Sequence, residues 1–146
     1  MSHPGLEPHV ARVVALFEQL TPEDLLRLSE IYASAVQFKD PFHEVTGLAE
    51  MQRIFGHMFE TLDNPKFVVR DVISRGEQCF LSWDLLFRFR RFSRTPQSIR
   101  GASHLVFDTK GLVVQHRDYW DAAEELYEKL PAVGALMRWL KRRANS

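Results

Sequence analysis

A change of hydrophobic period part-way along the chain constrains its fold more than any other feature. Up to Leu62 apolar residues recur at helical spacing; from Lys66 to about Tyr119 they alternate among β-branched and aromatic residues. Val10, Val13, Val14, Phe17 and Leu20 predict an amphipathic helix between His9 and Leu20. Thr21-Pro22-Glu23-Asp24 then reads as an N-cap, a proline at the first helical position and acidic residues in the first turn. It predicts a second helix with Leu25, Leu26, Leu28, Ile31 and Tyr32 on one face, closing a helical hairpin. Val36, Phe38 and Asp40 follow as a short strand that Pro41 terminates, because proline disfavours helix at the residue before it. Gly47 leads into a third helix through Met51, Ile54, Phe55, Met58, Phe59 and Leu62, stopped by Asp63-Asn64-Pro65. Turn clusters at Arg75-Gly76-Glu77, at Ser93 to Ser98 and at Asp108 to Gly111 divide the alternating region into a meander of four strands. Asp121 to Leu130 returns to helix, and beyond Pro131 a last amphipathic piece carries Val133, Leu136, Met137 and Leu140. This order predicts an α+β domain in which a cone-shaped, strongly curved antiparallel sheet wraps the N-terminal helices. A cone only partly filled by its helices keeps an apolar pocket, whose few polar residues become the candidates for chemistry.

At 146 residues the chain has the length of one domain, spanning 1–146, with a core at about 8–125 and a C-terminal helical extension at 121–143. Its 19 basic and 19 acidic residues cancel, which gives no electrostatic reason to expect nucleic acid or an anionic membrane as a partner. Cys79 is the only cysteine, excluding an internal disulfide or a cysteine-based zinc site and agreeing with a reducing compartment. The opening residues carry no signal-peptide pattern and no apolar run approaches a membrane span, so a cytoplasmic protein is expected.

Period-two geometry puts His116, Asp118 and Trp120 on one face of the last strand, with Gln115, Arg117 and Tyr119 on the other. An imidazole, a carboxylate and an aromatic wall form a set suited to general acid/base work. The bland alternative is a structural Asp118, paired with an arginine or capping a loop, beside a core or surface histidine. Asp40 lies where a strand end meets a helix mouth, and its bland alternative is a turn. His43 follows on the loop, and His57 is expected as a half-buried helix residue. No HExxH, nucleotide-binding glycine loop or GxSxG elbow is present, so no metal or cofactor is expected and acyl transfer is disfavoured. The run from Arg88 to Arg94 interleaves arginine and phenylalanine, as nucleic-acid-binding strands do, but a strand with one wet face explains it equally well. In the tail, Leu136, Met137 and Leu140 are expected to dock on the body, leaving Arg138, Lys141, Arg142 and Arg143 wet.

The order of elements, with Ile31-Tyr32-Ala33, Val36-Gln37-Phe38-Lys39-Asp40-Pro41 and His116-Arg117-Asp118-Tyr119-Trp120-Asp121, resembles the nuclear transport factor 2-like superfamily over roughly residues 8–125. Its SnoaL-like and ketosteroid isomerase-like branch, a cystatin-like roll, is the nearest in appearance. The scaffold hosts isomerases, cyclases, hydrolases and non-catalytic binders, so the resemblance implies fold more than activity. It implies a general-base role for Asp40, matching the isomerases' Asp before Pro, and an acid/base role for Asp118, matching the last-strand acid of SnoaL-like cyclases. The isomerase oxyanion hole needs a tyrosine and a protonated aspartate, where this chain has Leu16 or Phe17 and Ser103. The Asp-Arg-Asp arrangement of limonene epoxide hydrolase relatives is not evident.

The expectation is therefore a homodimer formed through the outer sheet face, with Asp40, Asp118 and His116 converging on one cavity that binds a small apolar molecule with a polar handle. Tyr32, His43 and Ser103 are its expected polar lining, and Phe55, Trp83, Leu105, Phe107 and Trp120 its apolar lining. The expected chemistry is cofactor-independent isomerisation or cyclisation. The alternative is a binding or interaction module without chemistry.

Overall fold

The computed structural model describes residues 3–90, 95–126 and 131–145. Helix α1 (Pro8–Gln19) turns Val10, Val13, Val14 and Phe17 inward, as the helical spacing requires. Pro22–Glu30 is helical too, but it is a 3₁₀ helix, and the chain is already in strand β1 (Tyr32–Lys39) at Tyr32. The expected second face is corrected accordingly. Leu25, Leu28 and Ile31 are spaced by three, which aligns them at three residues per turn, and Leu26 is left 84% exposed. The Thr21 cap forms: Asp24 Oδ2 accepts from the Thr21 backbone N–H and hydroxyl, and Arg27 donates to Oδ1.

After β1 the chain reverses through Asp40–His43 into β2 (Glu44–Thr46), a short strand that apolar alternation did not signal. Helix α2 (Leu48–Thr61) buries Met51, Ile54 and Phe55, and β3 (Leu62–Arg75) starts without an intervening loop. Asp63-Asn64-Pro65 thus lies inside a strand. Asn64 adopts φ 51° and the β3–β4 register shifts between Asp63 and Lys66, so a bulge accommodates the proline that cannot donate to the ladder. The other strands of the predicted meander are β4 (Gln78–Phe89), β5 (Gln97–Phe107) and β6 (Val113–Tyr119).

The six strands form one curved, unclosed sheet in the order β2-β1-β6-β5-β4-β3. Every pair is antiparallel except β1 and β6, which run parallel and place Phe38 beside His116. Inward residues of the sheet and the apolar faces of α1 and α2 make one continuous core, including Val36, Leu81, Leu105 and Val113.

Beyond β6, α3 (Ala122–Glu125) is a single turn capped by the Asp121 carboxylate, and α4 (Pro131–Ala144) follows. Leu136, Trp139 and Leu140 are each close to half exposed, which corrects the expectation that α4 docks its leucines on the body. Among the described residues the principal neighbour of α4 is α3. Residues 91–94, in the basic-aromatic run, and the side chains of Val133 and Met137 lie outside the described residues. No helix among the described residues is long and apolar enough to cross a membrane.

Candidate functional site

The inner face of β6 delivers His116 and Asp118 to the interior, two residues apart as the strand period requires, while Arg117 and Tyr119 point outward with the guanidinium over the ring. The register with β5 sets Ser103 opposite Asp118, and the register with β4 sets Trp83 opposite Gly101. A continuous chain of hydrogen bonds results. Trp83 Nε1 donates to Ser103 Oγ at 2.9 Å, and Ser103 donates to Asp118 Oδ1 at 2.6 Å. His116 Nε2 lies 2.6 Å from the same Oδ1, and His116 Nδ1 lies 2.9 Å from the Tyr32 hydroxyl.

The directions of these bonds follow from the groups themselves. An indole N–H only donates, so Ser103 Oγ accepts from it and spends its own proton on Asp118. The Tyr32 hydroxyl is fully buried and bonded to His116 Nδ1 alone among the described residues. It therefore donates to Nδ1, because the reverse direction would strand a buried O–H proton. The His116 proton then sits on Nε2 and points at Asp118 Oδ1. One carboxylate oxygen thus accepts two short bonds, from Ser103 and from His116. Oδ2 has no hydrogen-bond partner among the described residues, yet it is not sealed from solvent. Burial, and then the charge of Asp118, push the Tyr32 phenol well above its ordinary range, so it remains a proton donor. Around the network Phe17, Tyr32, Phe38 and Phe55 enclose the imidazole, with Phe17 and Tyr32 stacked on it.

Asp118 reaches the wall of a cavity of about 290 Å³ between the open end of the sheet and α2. The cavity is mostly apolar. Phe55, Phe67, Trp83 and Trp120 are among its aromatic walls, Asp40 and His43 lie at the β1 side, and α2 contributes Ile54 and Met58. Asp40 and Asp118 therefore border one space, with His116 behind Asp118. Asp40 is already engaged, since its Oδ1 accepts from the Phe42 and His43 backbone N–H groups and both its oxygens lie near His43 Nδ1. This is the turn that Asp before Pro builds, and it fixes the β1–β2 corner.

The expected lining residues divide into two groups. His43, Phe55, Trp83 and Trp120 border the cavity. Tyr32 and Ser103 sit behind it within the hydrogen-bonded chain, and Leu105 and Phe107 are packed in the core, Phe107 edge-on to His9. Strand alternation gives the face of an inward residue such as Trp120 without saying how deep along the cone it lies. His57, expected as half-buried, is exposed at the rim. Sequence reading missed Phe67, Phe42 and Leu126 as lining, and Gly101 as the seat of Trp83. A Cβ at Gly101 would overlap the Trp83 indole, so glycine lets the ring lie flat and reach Ser103. A glycine inside an alternating strand was the available signal. Cys79 is buried and its thiol is pushed up to about 11 by that burial, which removes it as a nucleophile at neutral pH. Among the described residues no three His, Cys, Asp or Glu side chains gather as metal ligands do.

Solved structures similar in fold include a protein of Catenulispora acidiphila with a ketosteroid isomerase-like fold, in complex with trimethylamine. It is 14% identical with a TM-score of 0.69, over 86% of this chain and 92% of that one. A protein of Burkholderia pseudomallei, described as nuclear transport factor 2-like and of unknown function, is 16% identical with a TM-score of 0.71, over 82% and 95% of the two chains. A Jannaschia protein with the working assignment of a SnoaL-like polyketide cyclase is 16% identical with a TM-score of 0.70, over 85% and 93%. These likenesses establish the fold, and no curated protein sequence matches the chain. The family model described as SnoaL-like domain matches residues 13–116, from the buried face of α1 to the histidine of the network. The chain belongs to the SnoaL-like domain family of the nuclear transport factor 2-like superfamily.

Proposed function

We propose that the cavity binds a small, mainly apolar molecule bearing a polar handle, and that Asp118 is its acid/base group in a cofactor-independent isomerisation or cyclisation. The observation that carries this reading is the asymmetry of the Asp118 carboxylate. Oδ1 is held by Ser103 and His116, whereas Oδ2 is unbonded among the described residues and belongs to a side chain on the cavity wall. An ionised carboxylate in that state is a proton acceptor whose direction is fixed before any ligand enters. In the proposed cycle Oδ2 takes a proton from the carbon next to a carbonyl, and the electron pair left on carbon delocalises onto the carbonyl oxygen. The same Oδ2–H then returns the proton to a different carbon, or the carbanion closes a ring by adding to a second carbonyl, whose oxygen takes the proton. His116 and Ser103 act as positioning residues throughout.

The test is hydrogen–deuterium exchange in D₂O at the α-carbon of small cyclic and aromatic ketones, followed by NMR. Wild-type protein is expected to accelerate exchange, and Asp118→Asn to lose that acceleration while still binding the same ketones. Ketones that bind without exchanging in wild type would contradict the catalytic reading.

The second reading, a binding or interaction module without chemistry, is favoured by a specific observation: the Asp40 carboxylate is taken up by its own turn. The resemblance also implies Leu16 or Phe17 and Ser103 at the places where isomerases supply oxyanion donors. Under both readings we propose a homodimer through the outer sheet face. There the register aligns Ile73, Phe80, His104 and Arg117 across four strands; Phe80 stacks on His104 at 4.2 Å and Ile73 is 70% exposed.

A further inference from the structure

The ligand's polar handle can be narrowed from the charge of the cavity wall. Resting on the pocket reading above, we infer that the cavity selects an organic cation, a protonated amine or quaternary ammonium group carried on an apolar body. Nineteen described residues line the cavity; eight of them are Phe or Trp, two are Asp and none is Lys or Arg. The hydrogen-bond directions leave one uncompensated negative charge at the inner wall. With Tyr32 donating to Nδ1 the imidazole of His116 is uncharged, and Ser103 and Trp83 contribute only neutral donors. Asp118 is thus a carboxylate held by dipoles and not by a cation.

A carboxylate facing an apolar space is costly until a partner arrives, because the low-polarity surroundings replace little of the water it lost. A neutral ligand leaves that charge without a counter-charge. An ammonium group neutralises it, and Trp83, Trp120, Phe55 and Phe67 give the cavity aromatic walls, a lining suited to a cation. Oδ2 is also an acceptor without a protein donor among the described residues, which suits a protonated amine N–H.

The probes are benzyltrimethylammonium and its uncharged carbon isostere neopentylbenzene, which match in shape and differ in charge. Each is titrated into the full-length protein while the indole N–H resonances of Trp83 and Trp120 are followed by NMR. The ammonium probe is expected to bind about tenfold more tightly than the isostere, and Asp118→Asn to bring the two within about threefold. Equal binding by wild type, or tighter binding of the isostere, overturns the inference and leaves the pocket reading standing. A preference that survives Asp118→Asn overturns the assignment of the charge to Asp118. If neither probe moves either indole resonance, the pocket reading falls and this inference with it. The wild-type comparison stands without any variant, and isostere binding by Asp118→Asn verifies that its cavity is intact.

Discussion

Asp118 is singled out less by being acidic than by what holds one of its oxygens. Ser103 links it to Trp83, so Ser103→Ala strands the buried indole N–H and frees one side of the carboxylate. The expected cost is about 1–3 kcal/mol in urea unfolding, beyond that of removing a hydroxyl at the surface. Gly101→Ala forces the Trp83 ring off its seat and is expected to cost a similar amount, about 1–3 kcal/mol, with altered tryptophan fluorescence. Unchanged fluorescence and stability would show that the ring does not need the space. Tyr32 makes a pH prediction. Its phenol is held above the ordinary value, by burial first and the Asp118 charge second, so the folded chain keeps a proton that the unfolded chain sheds near pH 10. The associated stability is intact below that pH and declines as pH rises toward the folded value. Tyr32→Phe is expected to flatten the decline between about pH 9.5 and 11, read as unfolding free energy against pH. The residues of this network were legible as types on one strand face. Their order of bonding was not, since it depends on which residues of β5 and β4 lie opposite, and strand register is not printed in apolar alternation.

The elements repeat that division between pattern and partner. α1, α2 and the four strands of the meander are where periodicity placed them, because each buries one face and leaves the other wet. The segment after Thr21 differs from its expected α-helical period, being a 3₁₀ helix. Its apolar residues satisfy both 3.6 and 3.0 residues per turn for a few positions, and only packing against α2 and β1 chooses. Leu28→Ala is accordingly expected to cost about 2–5 kcal/mol and Leu26→Ala almost nothing; chemical denaturation of the two variants measures the contrast. β2 escaped notice because three residues with one apolar side chain carry no period, and it exists because β1 offers it an edge. For α4, whose Leu136 and Leu140 remain exposed, Leu136→Ser with Leu140→Ser is expected to leave the Tm unchanged within a degree or two.

Over the whole molecule, zero net charge conceals a partition. Residues 131–146 hold Arg138, Lys141, Arg142 and Arg143 and no acid, so the body they follow is acidic. Total charge therefore says little about either part. The sheet's two faces divide in the same way: the inner one carries the network and the cavity, and the outer one carries the Ile73–Phe80–His104–Arg117 row. If that row is a dimer interface, Phe80→Glu yields a monomer by sedimentation while leaving ligand binding intact; an unchanged mass would exclude the row from the interface. All of the site's chemistry, however, rests on the claim that Asp118 is a carboxylate held by a neutral imidazole. The ¹⁵N spectrum of the His116 ring at neutral pH tests that claim most directly. The account predicts a proton on Nε2 and an acceptor nitrogen at Nδ1, facing the Tyr32 hydroxyl. A doubly protonated ring, or a proton on Nδ1, would contradict it, because Asp118 would then be neutralised by its neighbour or carry a proton itself and offer the cavity no base.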